Sequence, residues 1–202
     1  MIEPNMATML AYIFTDAALD AATLDALLRE AVHTTFNMLS VDTDTSTSDT
    51  CVLMANGLSG AVDIADFRAA LHAGCLRMTE ILARDGEGAE HLIRATVRGA
   101  RSEDDARRVA KSLINSPLVK TMVHGADPNV GRLLMAVGKC LDVPVIAERT
   151  DAWINGFPVV REGARLSFDD AEVRATLSHE VVDLVVDLGV GAAQATAFGC
   201  DL

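Results

Sequence analysis

ATMLAYIFTDA, residues 7–17, sets a hydroxyl side chain, Thr8, behind a small residue and at the head of an apolar run. Met9 to Phe14 are rich in strand formers and Thr15-Asp16 can cap the next element, so residues 8–14 read as a short buried strand. Thr8 then has two readings. As the first residue of a strand it is an ordinary β-branched choice. As a nucleophile it needs a base, because a threonine hydroxyl is weak at neutral pH, and a free α-amine on the same residue is such a base. Attack of the Thr8 hydroxyl on the Ala7 carbonyl would cut the Ala7–Thr8 bond and leave that amine beside the hydroxyl that needs it. Ala7 is small enough to keep its carbonyl accessible. On these residues alone, the pair reads first as the start of a strand.

Outward from this stretch, Leu24, Leu27, Leu28, Val32 and Phe36 follow helical spacing after a cap at Asp20, and Phe67, Leu71, Cys75, Met78 and Leu82 repeat the pattern. Between them, nine consecutive hydroxyl or carboxylate residues, Asp42 to Thr50, form a loop that runs into a strand over Cys51–Ala55, closed by Asn56-Gly57. The texture changes near His91. LIRATVRG alternates as a strand, and Ser102 opens a helix whose first turn holds Glu103, Asp104 and Asp105, where carboxylates suit the helix dipole. Asp127-Pro128-Asn129 reads as a turn and cap before a helix carrying Leu133, Leu134 and Val137. Short strands come next in VPVIAE, in AWINGFPVV with a hairpin turn at Asn155-Gly156, in EVVDLVVDLG and in AQATAFGCDL. The division expected is residues 1–90 and 91–202, both α/β.

Bulk properties exclude several classes. The net charge of −12 over 202 residues, with no local Lys/Arg cluster, opposes nucleic acid and anionic membranes. No run of about 18 apolar residues offers a membrane span, and no basic, apolar leader opens the chain, so a cytoplasmic protein is expected. Cys51, Cys75, Cys140 and Cys200 stand far apart and read as reduced, mostly buried thiols. No metal site is expected. Asp42, Asp44 and Ser46 alternate like the start of a calcium loop, but Thr47 and Leu53 stand where that loop needs Gly and Glu.

Other polar groups read modestly by themselves. DGEGA places Glu87 between two glycines, which lets backbone and carboxylate approach a ligand closely, though turns use the same residues. Lys120 and Arg132 could hold an anionic group, yet such cations are usually solvated. His124 and Asp127 read as turn residues.

As an ordered series, however, PNMATML with TDA, STSDT before an apolar strand, DGEGA, NSPLVKT, DPN-x-GR, DLGVG and GCDL resemble the glutamate N-acetyltransferase (ornithine acetyltransferase) family of arginine biosynthesis over essentially the whole chain. The resemblance implies an α/β sandwich of sheets between helix layers, of the N-terminal-nucleophile type, with a second, smaller α/β unit. It implies that a precursor cuts itself between Ala7 and Thr8. The chain would then be seven residues of α-chain tail plus most of a β chain truncated at its end, and Thr8 would be the catalytic nucleophile. Acetyl would pass from N-acetylornithine to Thr8 as an ester and then to glutamate. Glu87 matches the family's substrate-binding carboxylate, and Asp49, in STSDT, matches the wall near the nucleophile.

No cofactor is implied; some members accept acetyl-CoA as a substrate. The implied partner is the α chain of the same precursor, in a hetero-oligomer of α and β chains, because the oxyanion-hole donors and a substrate-binding Thr and Lys lie there in the family. A C-terminal tail with an Asn and a Ser or Thr in the substrate site is also absent from this sequence. Val130 stands where a Trp is usual, and Phe14 where a small residue is. The competing readings are a related N-terminal-nucleophile amidase or aminopeptidase, with water as acceptor, and a fragment inactive until an α chain completes it.

Overall fold

A computed structural model describes residues 9–43 and 48–201. It divides within one helix into two compact units, between Ile81 and Leu82.

The first unit is built on a parallel strand pair. Strand β1, Leu10–Ala17, pairs in parallel with β2, Thr50–Gly60, in the register Leu10↔Thr50 to Thr15↔Ala55. Parallel neighbours need a long crossover. Helix α1, Ala21–Thr34, is part of it, and it starts as its sequence predicts, with the Asp20 carboxylate accepting from Thr23 N–H at 3.0 Å. Helix α2, Ile64–Arg84, comes after β2. Leu24, Leu27 and Ala31 of α1, Leu71 and Cys75 of α2, and Phe36, Met38 and Leu39 between α1 and β2 are buried.

Two expectations fail in this unit. β1 is not a buried strand: Ala11 is buried, but Leu10, Tyr12 and Phe14 are 59%, 56% and 70% exposed. Successive side chains point to opposite faces, and among the described residues the face of Leu10, Tyr12 and Phe14 is left exposed. Nor does β2 close at Asn56-Gly57. It continues to Gly60, where Ala17 pairs after a register shift.

The second unit holds a six-stranded sheet in the order β6-β5-β4-β7-β3-β8. The strands are β3 (Leu92–Ala100), β4 (Asp151–Ile154), β5 (Phe157–Arg161), β6 (Ala164–Arg165), β7 (Val181–Asp187) and β8 (Ala193–Cys200). Only β3 and β7 run parallel. Alternation sorts the central strands. Ile93, Ala95 and Val97 of β3 and Val182, Leu184 and Val186 of β7 are fully buried. Their neighbours pair across the other face, with Arg94 donating twice to Asp183 and Arg98 Nε donating to Asp187 at 2.9 Å.

Helix α3, Glu103–Ile114, packs on β3 and β8, with Val109, Leu113 and Ile114 fully buried. It begins at the expected Ser102 cap, and α5, Val130–Gly138, at the expected Asn129 cap. The β4–β5 hairpin turns at Asn155-Gly156, as its sequence predicts.

Helices α4, Pro117–His124, and α6, Asp170–Leu177, escape a reading by periodicity, since each is only 8 residues long. Their start signals are nonetheless in the sequence: Ser116 before Pro117, and Asp169. VPVIAE is not a strand. Pro144 removes a ladder donor, and the segment passes into a 3₁₀ turn at Ala147–Arg149.

The end of β3 is locked by a close backbone approach: Val190 and Gly191 both donate to the Gly99 carbonyl, at 2.8 and 2.9 Å. A methyl group on Gly191 would lie 2.2 Å from the Ala100 carbonyl oxygen and 2.9 Å from Arg101 Cα, so only backbone movement could relieve it. Gly191→Ala should therefore lower stability by about 1–3 kcal/mol, read as a lower denaturant midpoint with an unchanged slope.

Candidate active site

Ala7 and Thr8 lie outside the described residues, as do residues 44–47 of the polar loop. The neighbour of Thr8 is described. Met9 is buried; its N–H donates to Asp49 Oδ1 at 2.8 Å and its carbonyl accepts from Thr50 N–H at 2.9 Å. Both polar groups of the residue after Thr8 are thus held by the head of β2. Asp49, from the STSDT stretch, supplies the side-chain half of that grip.

Glu87 belongs to the second unit. It is the second residue of a β-turn closed by Ala89 N–H donating to Gly86 O at 2.9 Å, and Gly88, the third, has φ +80°. A type II turn requires that sign at its third residue, which explains the second glycine of DGEG. The Glu87 side chain is exposed and makes no hydrogen bond or ion pair among the described residues. It is a carboxylate presented on a short turn with its oxygens uncommitted.

Beside this turn lies a cluster that the sequence did not reveal. Asp201 is buried at the end of GCDL; its Oδ1 accepts from Glu90 N–H at 2.9 Å and His91 N–H at 2.8 Å, and its Oδ2 accepts from His124 Nδ1 at 2.9 Å. His91 donates Nδ1–H to the His179 carbonyl at 2.8 Å, which leaves its Nε2 4.0 Å from the same carboxylate. Lys120 is also buried, against expectation, with Nζ donating to Cys200 O at 2.9 Å. His124 pairs with Asp201 rather than with Asp127, and Arg132 reaches Thr121 Oγ1 at 3.1 Å. The only hint in the sequence was an acid directly behind an apolar strand.

Burial alone would raise the Asp201 carboxyl, but the hydrogen bonds from His91, His124 and Glu90 outweigh it and hold the group below the usual carboxylate value. The hydrogen bond to Asp201, and then its charge, hold His124 above the usual imidazole value. Burial disfavours the thiolate at both cysteines of the first unit. Burial, and secondarily Cys51, pushes the Cys75 thiol up to about 11, and burial raises Cys51 as well. Among the described residues no group of His, Cys, Asp and Glu is arranged to hold a metal ion, and no helix is long and apolar enough to cross a membrane.

Comparison with known proteins covers the whole sequence. The family model described as ArgJ family matches residues 1–202. The chain is 48% identical over 204 residues to the arginine biosynthesis bifunctional protein ArgJ of Rhodococcoides fascians, covering 100% of this chain and 51% of that protein. It is 46% identical over 207 residues to the glutamate N-acetyltransferase Oat2 of Streptomyces clavuligerus, covering 100% and 53%. The chain thus spans about half the length of the curated relatives it matches. Among solved structures, arginine biosynthesis bifunctional protein ArgJ from Bacillus halodurans superposes with a TM-score of 0.93 at 37% identity, covering 96% of this chain and 95% of that one. The fold is therefore the α/β fold that the resemblance implied.

The His124–Asp201 pair carries a pH signature. The raised His124 contributes stability that is complete below its unfolded value of 6.5 and is lost as pH rises through the folded value; the lowered Asp201 contributes above 3.8 and is lost as pH falls through its folded value. Both contributions are present between those two unfolded values. NMR titration of the His124 ring should give a value above the ordinary one, and Asp201→Asn should return it to the ordinary range. An unshifted ring in the unmutated protein would contradict the pairing.

Proposed function

The chain belongs to the ArgJ family, and on that footing we propose that it carries the nucleophile of a glutamate N-acetyltransferase that moves acetyl from N2-acetylornithine to glutamate. The observation that carries this reading is the match of the whole of this chain, at 46% identity, to about half of a relative named for that activity. The anchored Met9 behind Thr8 and the uncommitted Glu87 carboxylate support it. Four free cysteines suit the cytoplasm as its setting.

The chemistry proceeds in two stages. First, the Thr8 hydroxyl adds to the Ala7 carbonyl. The Ala7–Thr8 C–N bond breaks, the nitrogen takes the hydroxyl proton, and water hydrolyses the resulting ester, freeing both amine and hydroxyl. In turnover, the Thr8 amine takes the hydroxyl proton as the oxygen attacks the acetyl carbonyl of acetylornithine. The amide C–N bond breaks, ornithine leaves with that proton on its nitrogen, and acetyl stays on the Thr8 oxygen as an ester. The amine of glutamate then attacks the ester, and its proton returns to Thr8 oxygen. Glu87 supplies a negative charge for the ammonium group that acetylornithine retains.

Thr8→Ala should abolish both self-cleavage and acetyl transfer in the complete protein, while Thr8→Ser keeps a measurable part of each. Intact mass reports the first and an acetyl-transfer assay the second. Normal turnover by the alanine variant would remove Thr8 from the mechanism.

The partner proposed is the α chain of the same precursor. Among the described residues the first unit's sheet has only two strands, and Leu10, Tyr12, Phe14 and Met54 are exposed on one face in register. Unpaired edges and uncovered apolar faces drive association. Residues 1–202 expressed alone should self-associate and lack transferase activity, since losing even one oxyanion-hole donor costs about 10²–10³ in kcat. Co-expression with the α chain should restore both. A compact, active monomer by light scattering and acetyl-transfer assay would contradict this partner.

A further inference from the structure

We propose that Asp201 is a positioning residue for Glu87, fixing where the substrate-binding carboxylate stands; the proposal rests on Glu87 holding the substrate ammonium. The turn that carries Glu87 joins the end of α2 to the start of β3, and both ends are tied down. Arg84, the last residue of α2, pairs with the Glu180 carboxylate, and Leu92, the first residue of β3, donates its N–H to the Glu180 carbonyl at 2.9 Å. Between these anchors the chain has one internal turn hydrogen bond, Ala89 to Gly86, and two glycines that leave it little stiffness of its own.

The remaining constraint comes from Asp201. The β3–β8 ladder ends with Leu92 opposite Cys200, so continuing the antiparallel register brings Asp201 opposite His91. There its Oδ1 takes both consecutive N–H groups, Glu90 and His91, that lie past the end of that ladder. One oxygen gripping two successive amides sets the direction of the chain as well as its position. The carboxylate is itself held from a third direction by His124, and the strand end that bears it by Lys120 Nζ on the Cys200 carbonyl. Charge-assisted bonds of this kind are short and directional. Glu87 lies three residues before the first of the gripped amides. A displacement of the order of 1 Å in a group that positions substrate can cost about 10²-fold.

The test uses the complete protein, with self-cleavage monitored by intact mass and turnover by steady-state kinetics on acetylornithine. Glu87→Gln by itself tests the role of Glu87 and should lower kcat/KM about tenfold to hundredfold, mainly through KM. Asp201→Ala should do the same while leaving self-cleavage intact. In the Glu87→Gln background it should cause no further loss, because the two residues act through one contact.

Geometry and charge are separated by two more variants. Asp201→Asn keeps an acceptor oxygen at the same reach and should restore kcat/KM to within about fivefold of the unmutated protein. Asp201→Glu keeps the charge but extends the side chain by a methylene, and should be as impaired as the alanine variant; this contrast also serves if Asp201→Ala does not fold.

A silent Glu87→Gln would overturn the role of Glu87 and this proposal with it. An impaired Glu87→Gln together with a silent or additive Asp201→Ala would overturn the proposal alone. The reverse order of the last pair, glutamate active and asparagine impaired, would also overturn it.

Discussion

A carboxylate removed from water must be given donors, and in the second unit that requirement gathers distant pieces of chain around Asp201. The N–H groups of Glu90 and His91 come from the approach to β3, the imidazole of His124 from the end of α4, and Asp201 itself from the end of β8. Lys120, one turn back on α4, fastens the preceding carbonyl. Leaving any of these groups unpaired in a buried site would cost about 1–3 kcal/mol, more where charge is involved. The cluster therefore constrains register: β8 must end at Cys200, β3 must begin at Leu92, and the turn bearing Glu87 must leave in one direction. The chain just after DGEGA, the helix that begins within NSPLVKT, and GCDL are separated in the sequence and meet around this one carboxylate.

The first unit solves a different problem with a similar device. A parallel pair cannot be closed by a tight turn, so β1 and β2 are separated by α1 and the polar loop. The return is secured at its outset by Asp49 and Thr50, which take both backbone groups of Met9. The residue that leads into β1, Met9, is thus clamped by the head of the partner strand. Among the described residues the same sheet leaves Leu10, Tyr12, Phe14 and Met54 exposed on one face.

Much of the fold was legible because its signals are local. Asp20, Ser102 and Asn129 cap helices where the sequence places them, Asn155-Gly156 turns a hairpin, and the alternation in β3 and β7 is plain. Sequence and structure part where local rules conflict or the element is too short. VPVIAE has strand-forming side chains but a proline that interrupts the ladder. α4 and α6 are too short to show periodicity, and only their caps announce them. β1 is as apolar as a buried strand, and nothing local distinguishes a face that meets the core from one that stays exposed.

The sequence by itself determined the family resemblance and the turn that presents Glu87, because each depends on residue types at short, fixed spacing, and through that resemblance it named Thr8 and Glu87 as the residues proposed to carry the chemistry. Tertiary structure alone decided that Lys120 is buried, that His124 answers to Asp201 rather than to Asp127, and that Asp49 takes the Met9 amide. Those partners lie 80, 77 and 40 residues apart. Whether a charged side chain is solvated or buried depends on what the rest of the chain brings to it, and only the folded register of β3 against β8, and of β1 against β2, supplies those neighbours.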